Sequence, residues 1–264
     1  MIGQVRIQNT IQEFIDTKSL PRTILLEGEY GCGKHTLVKE TSDKLGLEVI
    51  DITDSLTLDT LQDISMRPNP YVYLIDAVGL SIREQNVILK FLEEPLKNSY
   101  IFVLCESKYK LIPTVKNRCY CLSFEQYSQE ELKSFVDFQI IPEILEFANT
   151  PGRLFSMMNA PVDKMISFID SIFLKIHAAS FSNILKIPAK CYYKESVDGL
   201  FEFDLFSYIL LKQSVKLYRA GSIPYNVYVL VSEFYNDCGI AHINKQQLFE
   251  HFIVDLKCLY EGVS

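Results

Sequence analysis

The chain has 264 residues, of which 48% are apolar and 22% are charged, and its formal net charge at pH 7 is −7. This length is enough to bury a core and to form two or three compact units without cross-links. No stretch approaches the roughly 18 uninterrupted apolar residues of a membrane span, and the first residues lack the pattern of a signal peptide. We therefore expect a globular, cytoplasmic protein with no membrane partner. The acidic balance argues against a module that binds DNA by itself.

Five short runs rich in branched or aromatic residues predict buried strands at 23–27, 47–52, 71–76, 100–105 and 119–124. Helical patterns lie between these runs. This alternation is typical of βα units, so a parallel sheet is expected in the first half of the chain.

The segment GEYGCGKHT at 28–36 follows the first predicted strand and opens a helix, which is the setting that a phosphate-binding P-loop requires. Glycines let backbone N–H groups turn towards phosphate, and the start of the helix supplies a positive dipole end. A lysine at this spacing reaches the β and γ phosphates. The predicted nucleotide-binding residues of this segment are Gly28, Gly31, Cys32, Gly33, Lys34, His35 and Thr36.

Two positions depart from the pattern of an active P-loop ATPase. A Ser or Thr that ligates Mg²⁺ normally follows the lysine, but His35 stands there, and Thr36 lies about 100° further around the helix. Asp76 ends the third predicted strand, either as the Mg²⁺-side carboxylate or as a carboxylate in a turn. The next residue, Ala77, can neither accept a proton nor orient water. We expect ATP or ADP as candidate ligands, Mg²⁺ through Asp76, and weak or absent hydrolysis by this chain alone.

Capping boxes mark the starts of two helices, at Ser81-x-x-Glu84 and at Ser128-x-x-Glu131. The first of these helices is expected to end at Pro95. Later helical patterns cover 142–149, 152–159, 203–219, 224–237 and 244–260. The sequence predicts an α/β domain at 1–124, a small helical domain at 125–160 and a larger helical domain at 161–264.

Seven cysteines are scattered along the chain: Cys32, Cys105, Cys119, Cys121, Cys191, Cys238 and Cys258. No C-x-x-C pair occurs. A loose set of Cys238, His242, His251 and Cys258 matches no structural zinc spacing. We expect reduced, buried thiols and no zinc.

Several of these segments together resemble the bacterial clamp-loader AAA+ family, which includes the delta-prime and gamma/tau subunits of DNA polymerase III. They are DAVGLS at 76–81, QNVILKFLEEP at 85–95, Asn98 and IFVL at 101–104. The LEEP ending at 92–95 is highly specific to that family, and LIPTVKNRC at 111–119 is similar to its Ser-Arg-Cys segment. The resemblance covers residues 2 to 155.

The resemblance implies an α/β P-loop AAA+ module, with a five-stranded parallel sheet and flanking helices, followed by a small helical lid and an all-helical C-terminal collar. It implies that Arg118 is an arginine finger acting on ATP bound by a neighbouring subunit, where it neutralises charge on the transferred phosphoryl group. The residues alone also allow a surface arginine that caps a helix end. Gly152-Arg153 matches the sensor-2 position, where Arg153 would touch the nucleotide's phosphates; the alternative is an ordinary exposed helix residue.

In this family, a damaged ATP site combined with a retained finger is the pattern of the delta-prime subunit. The resemblance thus implies a DNA replication clamp-loader subunit, with other loader subunits as direct partners and the sliding clamp and primer-template DNA as partners through the assembly. The alternatives are an active AAA+ ATPase in which Thr36 restores the metal site, and a nucleotide-binding adaptor for another replication protein such as a helicase. A small-molecule kinase is the least favoured.

Overall fold

The structure is a computed structural model that describes residues 2–57, 63–64, 70–93, 99–136, 142–176, 178–184, 186–187, 202–240 and 243–262. The chain divides into two compact units. The first comprises Met1–Ile140 and Ala148–Leu154, and the second comprises Ile141–Phe147 and Phe155–Ser264. The three-domain division expected from the sequence stays a prediction.

A five-stranded parallel sheet forms the centre of the first unit. Its strands are β1 (Thr23–Glu27), β2 (Val49–Asp51), β3 (Val72–Asp76), β4 (Tyr100–Cys105) and β5 (Tyr120–Ser123), in the spatial order β2-β3-β4-β1-β5. Every pair of neighbouring strands is parallel. All five predicted strands are confirmed, and the three predictions that differ extend one or two residues too far at their ends.

Alternation along the strands explains why these runs are almost wholly apolar. Successive side chains of a strand point to opposite faces, and helices cover both faces of a parallel sheet. Ile24, Leu26, Val72, Leu74, Phe102 and Leu104 belong to one buried cluster, whereas Leu25, Tyr73, Ile75, Ile101 and Val103 belong to the other. A strand buried on both faces has no position for a polar side chain except at its ends.

The helices of the first unit are α1 (Val5–Asp16), α2 (Lys34–Leu45), α3 (Ile82–Glu93), α4 (Pro113–Lys116) and α5 (Gln129–Lys133), with 3₁₀ turns at Thr53–Ser55 and Lys108–Lys110. Both predicted capping boxes are confirmed. Ser81 N donates to Glu84 Oε2 at 2.8 Å, and Glu84 N donates to Ser81 Oγ at 3.3 Å. Ser128 and Glu131 make the equivalent pair at the start of α5. Pro95 lies outside the described residues.

The second unit is helical throughout its described part. It contains α6 (Pro142–Phe147), the end of α7 (Pro151–Met158), α8 (Val162–Lys175), α9 (Phe181–Ile184), α10 (Phe203–Arg219), α11 (Tyr225–Cys238) and α12 (Lys245–Glu261). Its core is rich in aromatic rings, including the stacked pair Phe234 and Phe252, whose centroids are 4.5 Å apart. The three long helices predicted for this region are confirmed within one residue at each end. Across the described ranges, no helix combines the length and the apolar character that a bilayer crossing needs.

Candidate functional site

The predicted phosphate loop connects β1 to α2, as the sequence pattern requires. Gly28 N donates to the carbonyl oxygen of Cys105 at 3.0 Å, which joins the start of the loop to the end of β4. Gly33 immediately precedes α2 and has a φ of 104°, a left-handed value that favours glycine. Cys32 is buried beneath the loop. The loop therefore leads into the positive end of a 12-residue helix, a geometry suited to an anion.

Lys34 is only 7% exposed, and its ammonium group lies against the loop backbone. Its Nζ donates to the carbonyl oxygen of Gly28 and, at 3.0 Å, to that of Glu29. The ammonium group is thus positioned inside the loop by the chain's own carbonyl groups.

The residues expected to handle Mg²⁺ are less suitable. His35 and Thr36, the first residues after the lysine, are both exposed. Asp76 lies at the carboxyl end of β3, and its Oδ1 accepts a hydrogen bond from Val78 N at 3.0 Å. This contact matches the reading of Asp76 as a carboxylate in a turn at a strand end. Ala77 is buried, so a methyl group occupies the position next to that carboxylate.

The segment 149–153, which contains the proposed sensor-2 residues, packs on the tip of the phosphate loop. Gly152 N donates to the carbonyl oxygen of Gly31 at 2.9 Å, and Thr150 Oγ1 donates to that of Tyr30 at 2.7 Å. A Cβ atom added to Gly31 would lie 2.5 Å from Gly152 Cα, which no side chain tolerates. Gly31 also has a φ of 75°. Glycine at 31 is therefore required twice, by the turn and by the contact between the two backbones.

Arg153 is buried, with 8% of its surface exposed, so the alternative reading of an ordinary exposed helix residue is wrong. Its guanidinium carbon lies 4.8 Å from the centroid of the Tyr30 ring, within range of a cation–π interaction. This contact places Arg153 beside the phosphate loop. Its contact with nucleotide phosphates stays a prediction.

Arg118 lies between α4 and β5, on the opposite side of β1 from β3. Its Nη1 donates to the carbonyl oxygen of Thr114 at 2.8 Å, and its Nη2 forms an ion pair with Glu93 Oε1. The side chain of Arg118 is 32% exposed and that of Glu93 is 45% exposed. The ion pair joins Glu93, in the LEEP segment, to the segment that resembles Ser-Arg-Cys. The sequence identified both segments but not this contact between them.

Gln85 is a buried polar residue to which the sequence assigned no role. It lies on the same face of α3 as the buried Ile88. The apolar character of that face is the sequence feature that could have indicated the burial of Gln85. Its Oε1 accepts from Ile112 N at 2.8 Å, and its Nε2 donates to the carbonyl oxygens of Leu80 at 3.0 Å and Lys110 at 3.3 Å. These hydrogen bonds fix α3 to the segment that leads into α4 and Arg118.

Glu27, the last residue of β1, was also missed. It accepts from Lys108 N at 3.0 Å and from Ser123 Oγ at 2.7 Å, and Lys108 Nζ lies 3.4 Å from Glu27 Oε2. Burial acts to raise the pKa of Glu27, but these hydrogen bonds and the Lys108 charge outweigh it and hold the pKa below the ordinary value. The Glu27 carboxylate therefore links β1 to β5 and to the turn after β4, at the end of the sheet where the phosphate loop begins.

The expectation of buried thiols requires one correction. Cys121 is exposed because it lies on β5, an edge strand with a single neighbour, and Cys119 and Cys258 are partly exposed. Burial raises the pKa of Cys105, the last residue of β4, to about 12, so this thiol is neutral. Within the described ranges, no three His, Cys, Asp or Glu side chains group in a way that could hold a metal ion. Cys191 and His242 lie outside those ranges.

Comparison with known proteins agrees with this fold. Residues 49–128 match the family model described as DNA polymerase III, delta subunit. DNA polymerase III subunit gamma of Buchnera aphidicola subsp. Acyrthosiphon pisum (strain APS) is 26% identical, over 55% of this chain and 50% of that protein, so the chain spans half the length of this relative. The Thermotoga maritima RuvB Holliday junction branch migration motor is similar in structure, with a TM-score of 0.52, 18% identity, and coverage of 99% of this chain and 88% of that chain. A variant of the same protein has a TM-score of 0.53.

The parallel sheet, the loop between β1 and α2, and the helical remainder define the P-loop AAA+ fold, and the predicted fold class is confirmed. The family-model match and the gamma-subunit relative confirm the resemblance to the bacterial clamp-loader family of AAA+ proteins.

Replacing Gly152 with Ala is expected to lower the free energy of unfolding by about 1–3 kcal/mol, because the new Cβ atom would overlap the backbone of Gly31. Urea denaturation measures the change. Gly239→Ala is the control, since Gly239 has a φ of −82° and an added Cβ there meets nothing closer than 3.4 Å. Equal stability of the two variants would contradict the backbone contact.

Replacing Glu27 with Gln is expected to lower the free energy of unfolding at pH 7 by on the order of 1 kcal/mol, because charged hydrogen bonds are weakened. The pKa of Glu27 is lowered in the folded chain, so its stabilisation is present above the ordinary pKa of 4.5 and is lost as the pH falls through the folded value. Urea denaturation at pH 7 and pH 3 should therefore show a difference that narrows in acid. Glu13→Gln, on the exposed side of α1, should change stability little at either pH. A pH-independent Glu27 effect would contradict the carboxylate's role.

Proposed function

We propose that this chain is a clamp-loader subunit of a DNA replication assembly, of the delta-prime type. In this proposal it supplies Arg118 to ATP bound by a neighbouring subunit and hydrolyses little or no ATP itself. The family-model match, the gamma-subunit relative and the AAA+ fold support the class of protein. The position of Arg118 supports the finer assignment.

The residues of the phosphate loop fit the phosphates of ATP or ADP. The loop leads directly into the N-terminus of α2, and Lys34 Nζ lies against the loop backbone. The groups that complete the metal site and activate water do not fit. His35 replaces the hydroxyl ligand, and Ala77 has no group that orients water. Asp76 Oδ1 accepts a hydrogen bond from Val78 N, which leaves other lone pairs of the carboxylate for Mg²⁺. We therefore assign no hydrolytic step to this site.

The observation that carries the proposal is the partly exposed guanidinium of Arg118. An arginine buried in the core could not reach a second subunit, whereas this side chain is 32% exposed and lies at the surface of the first unit. A guanidinium has five N–H donors, and two of its nitrogen atoms contact Thr114 and Glu93. On a phosphoryl group of a neighbour, the guanidinium donors would stabilise charge that develops in the transition state.

The partners follow from the same assignment. Direct partners would be other loader subunits, and the sliding clamp and primer-template DNA would be contacted through the assembly, in the cytoplasm. A chain with a net charge of −7 is better suited to this indirect role than to binding DNA phosphates alone. The helices of the second unit would form the collar that holds the subunits together.

Replacing Arg118 with Ala is expected to lower ATP turnover at the neighbouring site about 10-fold or more, because charge on the transferred phosphoryl group is no longer neutralised. The measurement is steady-state phosphate release by this chain reconstituted with gamma-type subunits and a sliding clamp. Arg6→Ala is the matched control, since Arg6 is an exposed arginine that also faces a glutamate, Glu125, at 3.8 Å. Unchanged turnover in a folded Arg118 variant would remove Arg118 from the mechanism. Assembly with a helicase alone would overturn the loader assignment.

Replacing Ala77 with Glu is expected to leave the isolated chain without robust ATP hydrolysis, because His35 still occupies the metal-ligand position. Phosphate release by the pure variant measures this directly. The paired His35→Thr and Ala77→Glu variant is the comparison, and any gain should appear there. Strong activity of the single variant would show that His35 does not impair the metal site.

A further inference from the structure

Glu93 and Arg118 form an ion pair across the surface of the first unit. Glu93 lies in α3, and Arg118 follows α4. Both side chains are partly exposed, and Nη1 of Arg118 also donates to the carbonyl oxygen of Thr114. The guanidinium is therefore held from two sides by groups of its own chain.

The ion pair between Glu93 and Arg118 is exposed to solvent, where water and salt screen the two charges. Because exposed ion pairs contribute little to folding, the pair orients the side chain and is still weak enough to yield to a stronger anion.

The backbone at Arg118 is positioned independently of Glu93. Arg118 N donates to the carbonyl oxygen of Val115 at 3.1 Å, and the hydroxyl of Thr23, in β1, donates to the carbonyl oxygen of Arg118. Removing the Glu93 carboxylate would thus release one of the two contacts of the Arg118 guanidinium, while the Arg118 backbone stays in place.

We propose that Glu93 is a positioning residue that restrains Arg118 within this chain, and that the phosphates of the neighbour's nucleotide must displace it. This inference rests on the proposed function of Arg118 in trans. A single guanidinium cannot make its best contacts with both a carboxylate and a triphosphate. This competition weakens nucleotide binding at the neighbouring site and no longer limits the rate once nucleotide is saturating.

Glu93→Gln in the reconstituted assembly is expected to lower the KM for ATP about 2- to 5-fold, the range of an exposed ion pair, while kcat changes less than about 2-fold. Glu93→Asp, which keeps the charge, should restore most of the original KM. Affinity for a non-hydrolysable ATP analogue should rise by the same factor as KM falls. Glu125→Gln is the control, since it removes an exposed carboxylate that faces a different arginine.

The Arg118→Ala background separates the two proposals. There, Glu93→Gln should leave KM unchanged, because the side chain that it restrains is gone. An equal fall in KM with and without Arg118 would overturn the restraint, as would a fall in kcat at constant KM or no change in either constant. If Arg118→Ala itself leaves turnover unaffected, the proposed function fails, whatever Glu93 does. Thermal unfolding of each variant within about 2 °C of the original chain confirms that folding is intact.

Discussion

The hydrogen bonding of β1 to both β4 and β5 is the constraint on which the rest of the first unit depends. Because all three strands are parallel, their carboxyl ends meet at one edge of the sheet, and the loop after β1 begins there. Glu27 connects that edge to both neighbours through Lys108 and Ser123, and Gly28 N bonds to the last residue of β4. The phosphate loop therefore lies at the carboxyl end of β1, whereas Arg118, whose carbonyl oxygen accepts from the Thr23 hydroxyl, lies at its amino end.

The loop between β1 and α2 has the backbone geometry of a phosphate loop, while His35 and Ala77 stand where the pattern of an active P-loop ATPase has a hydroxyl and a carboxylate. The geometry has a second use that is independent of any nucleotide, since the tip of the loop accepts hydrogen bonds from the segment 149–153. The packing by itself is sufficient to require glycine at positions 31 and 152. A loop of this kind can therefore persist in a chain that hydrolyses no ATP, because the fold itself depends on it.

Local features were predictable because they depend on neighbouring residues. The strands follow from runs of branched and aromatic residues that need burial on both faces, and the capping boxes follow from a side chain three residues away. The strand–loop–helix setting of the P-loop and the departures at His35 and Ala77 were equally readable. The burial of Arg153 and the exposure of Cys121 were not, because each depends on which element lies beside it.

The sequence by itself therefore determined the order and type of the elements, the phosphate loop and the missing catalytic groups. Only the tertiary structure decided which separated residues meet. Glu93 and Arg118 are 25 residues apart, and Tyr30 and Thr150 are 120 apart. Their contacts depend on the strand order β2-β3-β4-β1-β5, in which β1 lies between two strands that follow it much later in the chain. Periodicity and spacing do not indicate that order, because a buried parallel strand has the same apolar sequence pattern at every interior position of a sheet.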